Sequence, residues 1–254
     1  MLEQNPILVA LDGMSPEEAY GIAETLKGLV GGFKANNLLD AAGPENAIRE
    51  LKKYGEIVMA DPKLHDIPNT VANRMKEYAN FGADFVTVKA EGGIEMMIAA
   101  IDSAEKVFAV KRPNLPIARV VAVTVLTSLS EEECQLIYHL PVKAAVLGFA
   151  KDAFIAGVDA IVCSPQELEF LKRFKYLDSI DRLTPGITPL WFAKPADQKR
   201  VTPPSVAIKN GASYIIIGRA IIKPPKEVGT STDAVQRILE EVEKTREEME
   251  AVKK

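Results

Sequence analysis

Asp61, Lys63 and Asp66 stand in the run Asp61-Pro62-Lys63-Leu64-His65-Asp66-Ile67-Pro68-Asn69-Thr70, a D-x-K-x-x-D spacing in which charge alternates in sign. Residues two apart on an extended segment point the same way, so Asp61 and Lys63 are expected to face one side together. A lysine wedged between carboxylates stays protonated and is positioned to deliver a proton. Lys34 adds a second cation from a neighbouring predicted strand. The set Lys34, Asp61, Lys63 and Asp66 therefore suits proton transfer at a charged site. Two other readings remain open. The same spacing fits a surface ion-pair cluster, and Asp66, just before a predicted helix, fits a simple helix cap.

A second cluster follows the last two predicted strands. Gly218 permits close backbone approach, and Arg219 offers a two-pronged donor for a phosphate. Gln198, in the long loop 185–200, can donate an amide hydrogen bond. Trp191 and Phe192 in that loop suggest either a lid over a ligand or an aromatic cover for the edge of the fold.

Short β-rich runs alternate with longer amphipathic ones. Eight strands are predicted at residues 7–12, 32–35, 57–61, 85–89, 118–125, 160–164, 179–184 and 214–218. Most are near-continuous apolar runs, as expected of parallel strands buried on both faces. The intervening segments carry helix-start signals. Ser15-Pro16-Glu17-Glu18 and Ser130-Glu131-Glu132-Glu133 read as capping boxes, Ser164-Pro165-Gln166-Glu167 repeats the arrangement, and Thr202-Pro203 resembles it. Gly55, Gly82, Gly157 and Gly211 mark helix ends. Eight unbroken β-then-α units predict a single (β/α)8 TIM barrel spanning residues 1–254, with a charged amphipathic helix at about 232–252. In that fold the strand C-termini hold the chemistry. They carry Asp12, Lys34, Asp61 with Lys63, Thr87 with Lys89, Thr124 to Ser128, Ser164, Thr184 with Pro185, and Gly218 with Arg219. The first βα turn, Leu11-Asp12-Gly13-Met14, lacks the glycine fingerprint of a dinucleotide fold.

The 254 residues are 47% apolar and 26% charged, which excludes a disordered or collagen-like chain. Thirty-one basic against 35 acidic residues give a net charge of −4, so no broad basic field favours nucleic acid or an anionic membrane. No apolar run is long enough to span a bilayer, and the N-terminus lacks the basic region of a signal peptide. Two distant cysteines, Cys134 and Cys163, fit a reducing cytoplasmic compartment. With only His65 and His139 besides, a Cys/His zinc site is not expected, whereas an oxygen-ligand magnesium site stays open.

In these residues the chain resembles the orotidine 5′-phosphate decarboxylases. The most specific piece is Asp61-x-Lys63-Leu64-His65-Asp66-Ile67-Pro68-Asn69-Thr70. Supporting pieces include Phe33-Lys34, Gly92-Gly93-x-x-Met96-Met97, Val123-Thr124-Val125-Leu126-Thr127-Ser128, Thr184-Pro185-Gly186-Ile187, Asp197-Gln198-Lys199-Arg200 and Ile217-Gly218-Arg219. The resemblance implies a cofactor-free decarboxylation of orotidine 5′-phosphate to uridine 5′-phosphate in pyrimidine synthesis, by a homodimer. It implies that Asp61 lies against the substrate carboxylate, that Lys63 protonates ring carbon six, and that Lys34 and Asp12 meet the ribose. Asp66 and Thr70 would reach the partner subunit's site, and Ile67 would join the substrate-binding set. Thr127 and Ser128 would meet the pyrimidine. Pro185, Gln198, Gly218 and Arg219 would line the base and phosphate ends.

Several positions depart from that pattern. Pro62 replaces an apolar residue, Lys89 a histidine, Glu91 a serine and Thr188 an arginine, and Asn36-Asn37 replaces a glycine-containing pair. Lys89 and Glu91 are placed to pair with each other. Two rivals follow: a magnesium-dependent sugar-phosphate decarboxylase or hexulose-phosphate synthase of the same superfamily, and a nucleotide-binding homologue without catalysis. The His65-Asp66-Ile67-Pro68-Asn69-Thr70 continuation and Thr184-Pro185-Gly186 favour the orotidine side.

Overall fold

Eight parallel strands close into a barrel in sequence order, with β1 hydrogen-bonded to both β2 and β8. The structure is a computed structural model and describes residues 5–55, 57–111, 117–193 and 202–253. The strands are β1 (Ile7–Ala10), β2 (Gly32–Ala35), β3 (Ile57–Leu64), β4 (Phe85–Lys89), β5 (Arg119–Val123), β6 (Ala160–Val162), β7 (Asp181–Thr184) and β8 (Tyr214–Ile217). The α-helices, in chain order, are α1 (Pro16–Thr25), α2 (Asn37–Ala42), α3 (Pro44–Lys52), α4 (Pro68–Phe81), α5 (Ile94–Lys111), α6 (Glu131–Tyr138), α7 (Val142–Ala156), α8 (Leu168–Leu171), α9 (Pro204–Lys209), α10 (Arg219–Ile222) and α11 (Ser231–Lys253). No described helix is long and apolar enough to cross a membrane.

Strand alternation creates two cores. One row of side chains points outward and packs under the helices, as Phe33, Val58, Val86 and Ile215 do. The other row fills the barrel with Leu8, Met59, Phe85, Val121, Leu183, Tyr214 and Ile216. Phe85 and Tyr214 meet edge-to-face at 5.5 Å between ring centres, and the Arg119 guanidinium lies 5.0 Å from the Phe85 ring centre. Gly32 belongs to the inward row, and a Cβ there would stand 2.2 Å from the Ile57 carbonyl oxygen, so only glycine fits. This plug makes the inside a packed core and confines any ligand to the barrel's C-terminal mouth.

Most of the predicted punctuation forms. Ser15 and Ser130 make complete capping boxes with Glu18 and Glu133, and Gly82 and Gly157 end α4 and α7 in left-handed conformations. Two start signals do something else. Glu167 accepts a hydrogen bond from the Ser164 N–H, yet the chain turns first and α8 begins only at Leu168. Thr202 does not cap α9. It bridges to the Ile187 segment, its N–H donating to the Gly186 carbonyl and its own carbonyl accepting from Thr188. Tertiary pairing with the loop after β7 outcompeted the local cap.

Replacing Phe85 by alanine is expected to lower the unfolding free energy by about 3–5 kcal/mol, because the void would open inside a plug closed on every side. Urea unfolding of the wild type and Phe85→Ala checks this.

Candidate active site

The inward rows continue upward from apolar plug to polar mouth. Leu8 and Ala10 in β1, Gly32 and Lys34 in β2, Met59 and Asp61 in β3, and Phe85, Thr87 and Lys89 in β4 are successive members of those rows. The mouth opens into a cavity of about 960 Å³. Its apolar floor includes Met59, Val123, Val162 and Ile216, and its walls include Asp12, Lys34, Asp61, Lys63, Thr127, Pro185, Gly218 and Arg219.

A chain of alternating charge crosses the cavity. The Lys34 ammonium donates to Asp12 Oδ2 and lies 3.4 Å from Asp61 Oδ2. Lys63 Nζ donates to the same Asp61 oxygen at 2.7 Å. The other Asp61 oxygen accepts from the Thr87 hydroxyl at 2.8 Å. Asp61 and Lys34 are only 6% and 8% exposed, so the surface ion-pair reading fails for them. A buried carboxylate costs several kcal/mol unless paired and hydrogen-bonded, and here both conditions are met.

The way Lys63 reaches this position corrects the alternation argument. Strand register shifts between Ala60 and Leu64, and Lys63 has φ of 48°, a left-handed conformation rare for a lysine. The bulged segment, not a regular strand end, turns the ammonium onto Asp61. Pro62 is compatible with this break because it forgoes a ladder hydrogen bond. The Lys63 N–H donates instead to the Thr87 hydroxyl at 2.9 Å, so one threonine holds both the irregular backbone and the carboxylate. Strain of about 1–3 kcal/mol at such a residue persists only where surrounding contacts over-determine it.

Sequence reasoning left Thr87 as one strand-end residue among several and treated Asn36 and Asn37 as departures. The Asn36 amide donates to the Asp61 carbonyl at 2.7 Å, and its backbone N–H donates to Asp12 Oδ1 at 3.3 Å. The Asn37 side chain accepts from the Gly13 N–H at 3.0 Å. The pair laces the ends of β1, β2 and β3 together. Their polarity right after Lys34 was the available signal.

Other candidates lie elsewhere. Asp66 and Ile67 are exposed, Thr70 is half-buried, and none of the three lines the cavity. Asp66 accepts from the Ile67 N–H and makes no cap on α4, whose N-terminal residue Ile67 has no side-chain cap bond. Ser128 is exposed and does not line the cavity. Gln198 lies outside the described residues. Trp191 and Phe192 pack against the outer core, with the Arg237 guanidinium of α11 5.7 Å from the Trp191 ring centre, as an edge cover would. The hydroxyls of Thr124 and Thr184 donate to the carbonyls of Val162 and Tyr214, so these two strand ends serve the barrel. Lys89 pairs with Glu91 at 3.3 Å. Burial, then the hydrogen bond it donates to Glu91, pushes the Tyr138 phenol well above its usual range.

Chemically, the floor offers an apolar surface, and the charge chain lines the wall beside it with ammonium and carboxylate groups. Gly218 and Arg219 line another part of the wall. Among the described residues, no group of three or more His, Cys, Asp or Glu side chains is arranged to hold a metal ion.

A family model described as Orotidine 5′-phosphate decarboxylase / HUMPS family matches residues 5–233. An orotidine 5′-phosphate decarboxylase of Geobacter sp. (strain M21) is 39% identical over 237 residues, which are 93% of this chain and 95% of that relative. One from Paramagnetospirillum magneticum (strain ATCC 700264 / AMB-1) is 40% identical over 218 residues, covering 85% of this chain and 91% of the relative. The crystal structure of orotidine 5′-phosphate decarboxylase from Lactobacillus acidophilus superimposes with a TM-score of 0.78 at 31% identity, over 94% of this chain and 99% of that one.

Removing the Thr87 hydroxyl leaves a buried Asp61 oxygen and the Lys63 N–H without their partner. Thr87→Val is therefore expected to cost about 1–3 kcal/mol of stability, measured by denaturant unfolding, despite its near-identical shape.

Proposed function

Because the chain belongs to the Orotidine 5′-phosphate decarboxylase / HUMPS family, we propose that it is a one-domain, cofactor-independent carboxy-lyase converting orotidine 5′-phosphate to uridine 5′-phosphate and CO2 in pyrimidine synthesis. The observation that carries this reading is the Asp12–Lys34–Asp61–Lys63 charge chain at the mouth of a plugged barrel.

The chemistry follows from where the electrons go. When the bond between ring carbon six and the carboxylate breaks, its electron pair stays on carbon six, in the ring plane, where the π system cannot delocalise it. The Lys63 ammonium is the charge available to stabilise that pair as it forms, and its proton then passes to the carbon. Solvent returns a proton to the amine. Asp61 beside the substrate carboxylate adds repulsion that CO2 loss relieves. Two like charges about 4 Å apart cost about 4 kcal/mol at an effective dielectric near 20, and the two lysines on Asp61 reduce that. Enzymes supply about 8–23 kcal/mol, so the larger share rests on Lys63 and on binding energy from the remote phosphate. Arg219 and the Gly218 backbone are suited to that phosphate, and Lys34 and Asp12 to the ribose. The half-buried Thr127 and Pro185 are suited to the base; the family resemblance adds Gln198, outside the described residues, and Ser128, which is exposed and outside the cavity lining.

The working unit in this reading is a homodimer. Asp66, Ile67 and Thr70 stand on an outward part of the rim, with Ile67 65% exposed. An exposed isoleucine beside an unused carboxylate fits a surface that meets a second copy and serves its site. Cys134 and Cys163, both buried and not joined in a disulfide, fit a reducing cytoplasmic setting.

Purified protein with EDTA is expected to bleach the ultraviolet absorbance of orotidine 5′-phosphate and release CO2. Tight uridine 5′-phosphate binding without turnover would mark a nucleotide-binding homologue. Turnover of a sugar phosphate only, and only with Mg²⁺, would mark the metal-dependent branch.

Asp66→Asn and Lys63→Ala are each expected to be nearly inactive alone. Mixed and allowed to exchange subunits, they should regain activity in heterodimers, where one site receives both intact residues. No regain after confirmed exchange rules out a shared site.

A further inference from the structure

Glu91 touches three side chains at once, one at the end of its own strand and two on other segments of the rim. It sits in the 3-10 turn Ala90–Gly92 that follows β4. Its Oε1 lies 3.3 Å from Lys89 Nζ and 3.7 Å from His65 Nδ1. Its Oε2 accepts from the Tyr138 hydroxyl at 2.8 Å. His65 directly precedes Asp66. Tyr138 ends α6, the helix that follows the turn bearing Thr127. Lys89, 8% exposed, is the inward-row residue just beyond Thr87, which holds Asp61. At the next residue, Gly92, an added Cβ would lie 2.2 Å from Met96 Sδ and 3.2 Å from His65 Cδ2, so the turn packs closely under Met96 and beside the imidazole.

We propose that Glu91 is a positioning residue whose carboxylate braces the His65-Asp66 segment, Lys89 and the end of α6 into one rim. The brace thereby holds Asp66 and the Thr127 turn in the geometry the reaction needs. This rests on the decarboxylase reading above. Asp66 is exposed, and its carboxylate accepts from the adjacent Ile67 N–H, a bond that ties it to no other segment, so the segment needs an outside tie. A misplacement of about 1 Å at a reacting group can cost on the order of a hundredfold in rate, and sites hold their geometry through such supporting contacts. A serine at position 91, the residue of the family pattern, could reach one of these partners but not three.

Glu91→Ala alone strands the buried Lys89 ammonium, so the test uses Lys89→Met and the double variant Lys89→Met/Glu91→Ala, with Lys89→Met/Glu91→Gln as the conservative control. Steady-state decarboxylation of orotidine 5′-phosphate is measured for each, with rates divided by the folded fraction from circular dichroism. Lys89→Met should stay within about threefold of wild type. The double variant should lose about tenfold or more in kcat with KM changed less than about twofold, because the Arg219 end is untouched. Lys89→Met/Glu91→Gln, whose amide oxygen still accepts from Tyr138, should recover most of that loss. Equal kcat in Lys89→Met and the double variant assigns Glu91 to neutralising Lys89 and overturns the brace. A loss that vanishes on correcting for folded fraction overturns it too. Wild-type protein that does not turn over orotidine 5′-phosphate overturns the parent reading, and the brace with it, whereas an active wild type with unaffected variants overturns the brace alone.

Discussion

A carboxylate 6% exposed at the top of a packed barrel is the constraint around which this site is arranged. Asp61 cannot be left charged there without partners, because desolvating it costs several kcal/mol. Lys34, Lys63 and Thr87 supply them, and each comes at a structural cost of its own. Lys34 must be placed on an inward row, next to Met59 in register. It needs a second carboxylate, Asp12, to share its charge. Lys63 must abandon regular strand geometry. Thr87 must spend its hydroxyl on both the bulge and the carboxylate.

The plug beneath gives these charges their strength. Phe85, Tyr214 and their neighbours fill the barrel, and Asp61 stands between this plug and the cavity it lines. In a less polar surrounding, each Coulomb interaction is larger than it would be on an open surface. The four central charges cancel as two lysines against two aspartates. In the proposed reaction a substrate carboxylate disturbs this balanced group, and losing CO2 restores the balance. In the same reading the phosphate end rests on a separate, local donor, Arg219. That is how a chain of net charge −4 can favour an anion without a general positive field.

Much of the fold was legible because its signals are local. Each predicted strand exists, and the β2 and β4 bounds match the prediction, since buried parallel strands announce themselves as apolar runs. Capping boxes at Ser15 and Ser130 formed because side chain and backbone lie three residues apart. Ser164 and Thr202 read alike in sequence but are drawn into contacts at a turn and across the loop after β7. Their fate depends on partners that the local pattern does not contain. Likewise, the pairing of Lys89 with Glu91 was visible as two opposite charges two residues apart, while their link to Tyr138, 47 residues on from Glu91, was not.

The sequence alone determined the number and order of the βα units and the residue types offered to the mouth. Hydrophobic period, capping and glycine placement are properties of neighbouring residues, and they act before the chain closes. Only the tertiary structure decided which of those residues face one another. Barrel closure put Asp12, Lys34 and Asp61 side by side, the register break turned Lys63 inward, and Asn36, Thr87 and Glu91 became supports. It also turned Asp66 outward, away from its own cavity. The reason is physical: a side chain's direction at an irregular backbone, and the partner it meets across strands, are set by packing between segments far apart in the chain.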